Sequence, residues 1–283
     1  MSERDVLLTG ILRSGTTLAC WVLNQLPDVV ALVEPGLGTR FFIAFVRGDS
    51  QGVCASIRRF FEGTRKEILL RGRAPSLHIR GEVPANVMEE RPREKLRRHI
   101  ASHGKIRIAK PLSPGFWLIV KHPGTFTAPL EELARHFPTY AIIRNPLAVL
   151  ASWNSVSLPV NRGHAPMAEL FDSSLRRTLA RIGDRWERQL YLLGWFFEKY
   201  RRVLPERAIL RYEDIVATGG RALSAIVPEA AALNLPLSPR NASSLYDASL
   251  MRALGERLLR TDGPYWHFYA RESVEQLVAE VTG

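Results

Sequence analysis

Gly10 and Gly15, separated by four residues, bracket an arginine in the stretch LLTGILRSGTTLACWVL (residues 7–23), and Thr16 and Thr17 follow the second glycine. A glycine-bounded turn that opens a helix presents backbone N–H groups and the positive end of the helix dipole to an anion. The glycine spacing is that of a Walker loop, in which a lysine after the second glycine reaches the β- and γ-phosphates and the next hydroxyl holds Mg²⁺. In this chain Thr16 takes the lysine's position, and the strong cation, Arg13, sits inside the turn. The turn therefore suits one phosphate-sized anion without a triphosphate tail. Glycines kept at a strand-to-helix turn for backbone reasons alone are the simpler alternative.

A second candidate anion site follows in TYAIIRNPLAVLASW (139–153). Arg144 ends an apolar run, Asn145 and Pro146 open a helix with proline well placed at its first position, and Ser152 comes about two turns later. A guanidinium and a hydroxyl so spaced could converge on one anion. An arginine at a strand end serves equally well as a surface residue or as half of an internal ion pair.

Both sites need a strand, a tight turn and a helix to hold them. RDVLLTG (4–10) reads as a buried strand and TTLACWVLNQL (16–26) as the helix after it, ended by Pro27 and Asp28. KIRIAKPL (105–112), FWLIVKHP (116–123) and RAILRYED (207–214) are further candidate strands. APLEELARHF (128–137) and the amphipathic segment 181–204 are candidate helices. Strands alternating with helices predict an α/β fold with a mainly parallel central sheet and helices on both faces. Two stretches break the alternation: residues 36–104 are basic and weakly patterned, and 154–180 reads as a long loop with a short helix. Long connections inside α/β domains often wall a substrate site, and both are candidates for acceptor recognition.

The 283 residues, 46% of them hydrophobic, suffice for one α/β domain or two small ones. The opening MSERDVLL has no basic region before an apolar stretch, and no run approaches about 18 uninterrupted apolar residues, so neither a signal peptide nor a membrane span is expected. A cytoplasmic location is the corresponding expectation. Cys20 and Cys54 lack the spacing of a zinc site or a disulfide framework and suit packing roles. The net charge of +11 and pI near 10.2 point to an anionic partner: nucleic acid, a lipid surface or a small polyanion. The charge runs at 58–73 and 91–99 read as solvated helix faces.

LRSGTTL followed by IIRNPLAVLAS resembles the paired signature of sulfotransferases that use 3′-phosphoadenosine 5′-phosphosulfate (PAPS). The resemblance implies that Arg13, Ser14, Gly15, Thr16 and Thr17 grip the 5′-phosphosulfate, and that Arg144 and Ser152, eight positions apart, grip the 3′-phosphate. It extends to LRYEDI (210–215), covers the chain from residue 5 to about 217, and implies a P-loop-type three-layer fold. It implies one sulfotransferase-like domain over 1–283, with acceptor-recognition insertions at 36–104 and 154–180.

The segment RSGTTLACWVLNQLPDVVALVEP (13–35) is similar to the opening of the tyrosylprotein sulfotransferase-like and bacterial branch. That likeness places Glu34 at the general-base position and Lys121, in VKHPGTF, at the position of that branch's lysine. The cytosolic branch takes its base from a histidine after a lysine. AKPLSPG (109–115) offers Lys110 without that histidine, so that base is not supported; His122, beside Lys121, is the alternative base to Glu34. In sulfuryl transfer, negative charge builds on the bridging oxygen of the leaving group while the acceptor loses a proton. Arg13 and Lys121 would meet the first need and Glu34 the second, with no dedicated metal. The family brings a basic loop from near its end over the 3′-phosphate, which makes Arg260, in LLRTDGPYWHFYARE, the matching candidate. Asp214 after Glu213 reads as structural.

The expected acceptor is a small molecule, glycan or peptide; the oligomeric state stays open. Nucleic acid is not the expected partner, because a basic nucleic-acid-binding protein leaves the paired anion loops unexplained. The alternatives are a P-loop nucleotide kinase, which needs the missing lysine, and a non-catalytic protein that binds the nucleotide without turnover.

Overall fold

The computed structural model of the chain describes residues 2–90 and 95–282. Its strands are β1 (Asp5–Gly10), β2 (Val29–Val33), β3 (Arg73–His78), β4 (Ser102–Arg107), β5 (Trp117–Lys121), β6 (Thr139–Ile143) and β7 (Ile209–Arg211). Five of them form one parallel sheet in the order β2-β5-β1-β6-β7, while β3 and β4 pair antiparallel outside it. The first half contributes helices α1 (Thr16–Leu23), α2 (Thr39–Val46), α3 (Ser50–Arg71), α4 (Pro123–Thr127) and α5 (Leu130–His136). After β6 come α6 (Pro146–Asn154), α7 (Pro166–Phe171), α8 (Ser173–Arg181) and α9 (Arg185–Val203). After β7 come α10 (Tyr212–Ala217), α11 (Ala248–Leu259) and α12 (Arg271–Thr282).

The central strands are short apolar runs because helices bury both of their faces. Leu7, Leu32, Leu118, Val120 and Ile143 join one core with Leu133 of α5, Leu150 of α6 and Phe196 of α9. Their neighbours Leu8, Val33, Ile119 and Ile142 join the other with Cys20 and Leu23 of α1 and Ile215 of α10. The α/β class with a mainly parallel sheet and helices on both faces is therefore the observed fold. Parallel strands bring all their carboxyl ends to one edge, where ligands of open α/β sheets bind.

Several elements differ from expectation. The run 105–112 is not a strand of the central sheet; only Ile106 of β4 is buried, and a strand with one wet face suits an antiparallel pair. VVALV, not singled out as a strand, is β2 at the sheet edge. Residues 36–104 include a 22-residue helix, α3, started by the Asp49 carboxylate accepting from the Gly52 amide at 2.9 Å and ended at Gly72 with φ 60°. The basic run 58–73 lies on α3 up to Arg71 and is mostly exposed, but Arg65 turns inward to pair with Asp5 and to stack on Phe116. In the other run, residues 91–94 lie outside the described residues, and Arg97 is buried rather than solvated. Among the described residues no helix is long and apolar enough to cross a membrane.

Candidate active site

The carboxyl ends of β1, β2, β5 and β6 open into a cleft of about 450 Å³. Arg13, Gly15, Thr16, Thr17, Glu34, Lys121 and Arg144 all line it. Two glycines make the first turn possible. A Cβ on Gly10 would lie 2.5 Å from the Ile142 carbonyl oxygen, and one on Gly15, at φ 92°, would lie 2.5 Å from the Tyr212 ring. Arg13 itself adopts φ 71°, uncommon for a residue with a Cβ. The Ser14 hydroxyl does not line the cleft; it donates to the Ile142 carbonyl at 2.7 Å and ties the turn to β6. Trp153 fastens the turn from α6, its indole N–H donating to the Leu12 carbonyl at 2.7 Å.

The second junction folds as its sequence suggests, with Pro146 in the first turn of α6 and the Asn145 side chain accepting from the amides of Leu147 and Ala148. The two junctions then meet. Arg13 donates from Nε to Ser152 Oγ at 3.3 Å, and Arg144 donates from Nη1 to the Arg13 carbonyl at 3.2 Å. Ser152 is fully buried behind Arg13 and does not itself line the cleft. Arg144 is buried with its guanidinium over the Tyr212 ring, 4.6 Å from the centroid. Its Nε donates to Asn241 Oδ1 at 2.8 Å, and Asn241 donates in turn to Glu213 at 2.8 Å. Glu213 also accepts from the Asn145 amide at 2.9 Å, so this carboxylate positions the junction instead of facing the cleft.

The opposite end of the cleft carries an ion pair. Lys121, buried at the end of β5, donates to Glu34 Oε1 at 2.5 Å and to Thr17 Oγ1 at 3.3 Å. Glu34 follows β2 at φ 45°, its amide donating to the Lys121 carbonyl at 2.8 Å. Burial works against ionising Glu34, but the adjoining Lys121 ammonium and His122 outweigh it and bring the carboxyl down to about 2. Burial brings His122 down to about 4, so it is neutral at pH 7. Its Nε2 lies 2.9 Å from the Pro35 carbonyl, which fixes the proton on that nitrogen and leaves the lone pair on Nδ1. Lys110 donates to the carbonyls of Asn24 and Leu26 at 3.0 and 2.8 Å, closing the end of α1.

Arg260 is not brought to the cleft. α11, capped by Asp247, runs on to Leu259 and leaves Arg260 exposed beyond its last turn. Among the described residues, the cations that line the cleft from outside the quoted motifs are Arg97 and Arg240. Asn86 also joins, accepting from Arg13 Nη2 at 3.3 Å, as does Tyr246. Burial alone would push the Tyr246 phenol up, but Arg144, the Ser152 hydroxyl, Arg13 and Arg97 together hold it below its ordinary value. Arg240 had one sequence signal, a lone cation in the turn-rich stretch PLSPRNASS. Arg97 had none beyond membership of a charge run.

No protein-family model and no curated protein matches the chain. Among solved structures it is similar to a sulfotransferase domain from the curacin biosynthetic pathway, at 11% identity and a TM-score of 0.41, covering 98% of this chain and 90% of that one.

Proposed function

We propose that this chain is a PAPS-dependent sulfotransferase, moving a sulfuryl group from that donor to an acceptor hydroxyl or amine. The observation that carries the reading is the meeting of the two anion junctions in one cleft, with Arg13 hydrogen-bonded to Ser152 and the Lys121–Glu34 pair at the other end. Thr16, in place of a Walker lysine, fits a donor without a triphosphate. The amides of the Gly10–Gly15 turn and the start of α1 receive the 5′-phosphate, and Arg144 with the Ser152 region receives the 3′-phosphate.

The chemistry follows from the paired end. The sulfur–oxygen bond to the phosphate breaks as a bond from sulfur to the acceptor oxygen or nitrogen forms. Lys121 offsets the charge growing on the leaving phosphate oxygen and Glu34 takes the acceptor's proton, while Arg13, held to Ser152, stands at the phosphate-binding end. Before the donor enters, Glu34 at about 2 is too acidic to be an effective base. Drawing the ammonium of Lys121 toward the donor's anionic oxygens weakens that pair and raises the carboxyl toward a useful basicity. The 36–104 segment lines the cleft with Ala85, Asn86 and His99 and the 154–180 segment with Leu158, which supports both as acceptor walls within one domain over 1–283.

Calorimetric titration with the product nucleotide, 3′-phosphoadenosine 5′-phosphate, against 5′-AMP and Mg-ATP tests the reading. Micromolar affinity that requires the 3′-phosphate and falls about 10- to 100-fold in Arg144→Ala is expected, the loss of hydrogen bonds to a charged group. A preference for Mg-ATP would overturn it. A screen of small-molecule, glycan and peptide acceptors with labelled PAPS then identifies the acceptor class.

A further inference from the structure

Arg97 is 4% exposed, yet it is a permanently charged side chain with no carboxylate ion pair among the described residues. Its backbone is pinned, the amide donating to the Ser155 carbonyl at 3.0 Å and its carbonyl accepting from the Ser157 amide at 2.9 Å. The guanidinium uses Nη2 to donate to Ser155 Oγ at 2.7 Å, and its buried Nε has no hydrogen-bond partner. A buried charge without a counterion and a buried donor without an acceptor are both costly. Holding Ser155 needs one neutral N–H, so the charge and the remaining donors are surplus to any packing role.

The surroundings say what the surplus is for. Arg97 lines the same cleft as Arg13 and Arg144, and neither of those has a carboxylate ion pair among the described residues. Glu90, an acid near Arg97 among the described residues, is engaged by Arg240 at 2.6 Å. Tyr246 sits among the three guanidiniums, and Ser152 accepts from Arg13 beside it. Three cations around one corner exceed what a singly charged anion neutralises. A phosphate monoester, with a charge of about −1.5 to −2 at pH 7 and three acceptor oxygens, matches them.

We propose that Arg97 is a direct ligand of a terminal phosphate monoester shared with Arg13 and Arg144, and that it sets the preference for a 3′-phosphorylated nucleotide. In the sulfotransferase reading, on which this inference rests, that group is the 3′-phosphate of the donor. The 36–104 segment then serves donor recognition through Arg97 as well as the acceptor. This cation comes from a stretch with no motif of its own, at the end of the cleft that Arg260 does not reach.

The test is calorimetry with 3′-phosphoadenosine 5′-phosphate and 5′-AMP on the wild type, Arg97→Gln and Arg97→Lys, with thermal midpoints recorded for each. Arg97→Gln keeps an N–H for Ser155 and is expected to weaken binding of the bisphosphate about 10- to 100-fold while 5′-AMP changes less than about two-fold. Arg97→Lys, which keeps the charge, recovers part of that loss. Phosphorus NMR gives a readout that a packing role does not move. The bound 3′-phosphate titrates below its ordinary second pKa of about 6 in the wild type and closer to it in Arg97→Gln. Equal losses for both nucleotides in both variants, or an unchanged bisphosphate affinity and phosphate titration, would overturn the role of Arg97. A wild type that does not distinguish the two nucleotides would overturn the sulfotransferase reading itself.

Discussion

The two ends of the cleft handle charge in opposite ways. At one end Lys121 and Glu34 cancel each other at 2.5 Å, and Thr17 takes a further bond from the ammonium. At the other, Arg13, Arg97 and Arg144 rest on hydroxyls, amides, carbonyls and an aromatic face, with no carboxylate ion pair among the described residues. A site that neutralises itself can wait without ligand, at the cost of masking its own base. A site that leaves its cations unpaired holds free energy that a dianion recovers on binding. The difference assigns affinity to the arginine end and chemistry to the lysine end.

The most severe test of that division is Glu34→Gln. It is expected to lower turnover by about 10²- to 10⁴-fold, the range for removing a general base, while 3′-phosphoadenosine 5′-phosphate affinity stays within about two-fold. Steady-state assays with labelled PAPS and calorimetry measure the two quantities. A parallel fall in both would merge the two ends into one.

A smaller effect is expected from Lys121→Met on acid stability. Glu34 is held at about 2 against an ordinary 4.5, so its stabilising contribution is present above pH 4.5 and is lost as pH falls through 2. Without Lys121, the main group holding the carboxyl down is removed, burial pushes it up, and this loss shrinks. Denaturation of both proteins between pH 5 and 2 checks it; identical acid profiles would mean that the pair is not the cause. His122, neutral when folded and held at about 4 against 6.5, adds its own loss as pH falls from 6.5 to 4, which overlaps the compared range between pH 5 and 4, so the difference is read below pH 4.

The smallest effect belongs to Arg260→Ala. An exposed arginine beyond the end of α11 changes stability by about 0.5 kcal/mol or less and leaves nucleotide affinity unaltered. An affinity loss as large as that of Arg144→Ala would restore the C-terminal region as part of the arginine end.

The sequence by itself determined the two strand-loop-helix junctions. Gly10, Gly15 and Pro146 act on backbone geometry within a few residues, and apolar runs such as 5–10 and 139–143 are short and bounded by turns. Such information is local and survives without knowledge of the rest of the chain. The edge strand β2 was harder to read, because a five-residue apolar run carries no period of its own. Only the tertiary structure decided that Arg13 would reach Ser152, 139 residues away, and that Lys121 would pair with Glu34, 87 residues away. It also decided between basic residues that look alike in sequence, burying Arg97 from a charge run and leaving Arg260 in solvent. Residue type sets a charge, but the cost of that charge, and hence its use, depends on the water and counterions that packing removes.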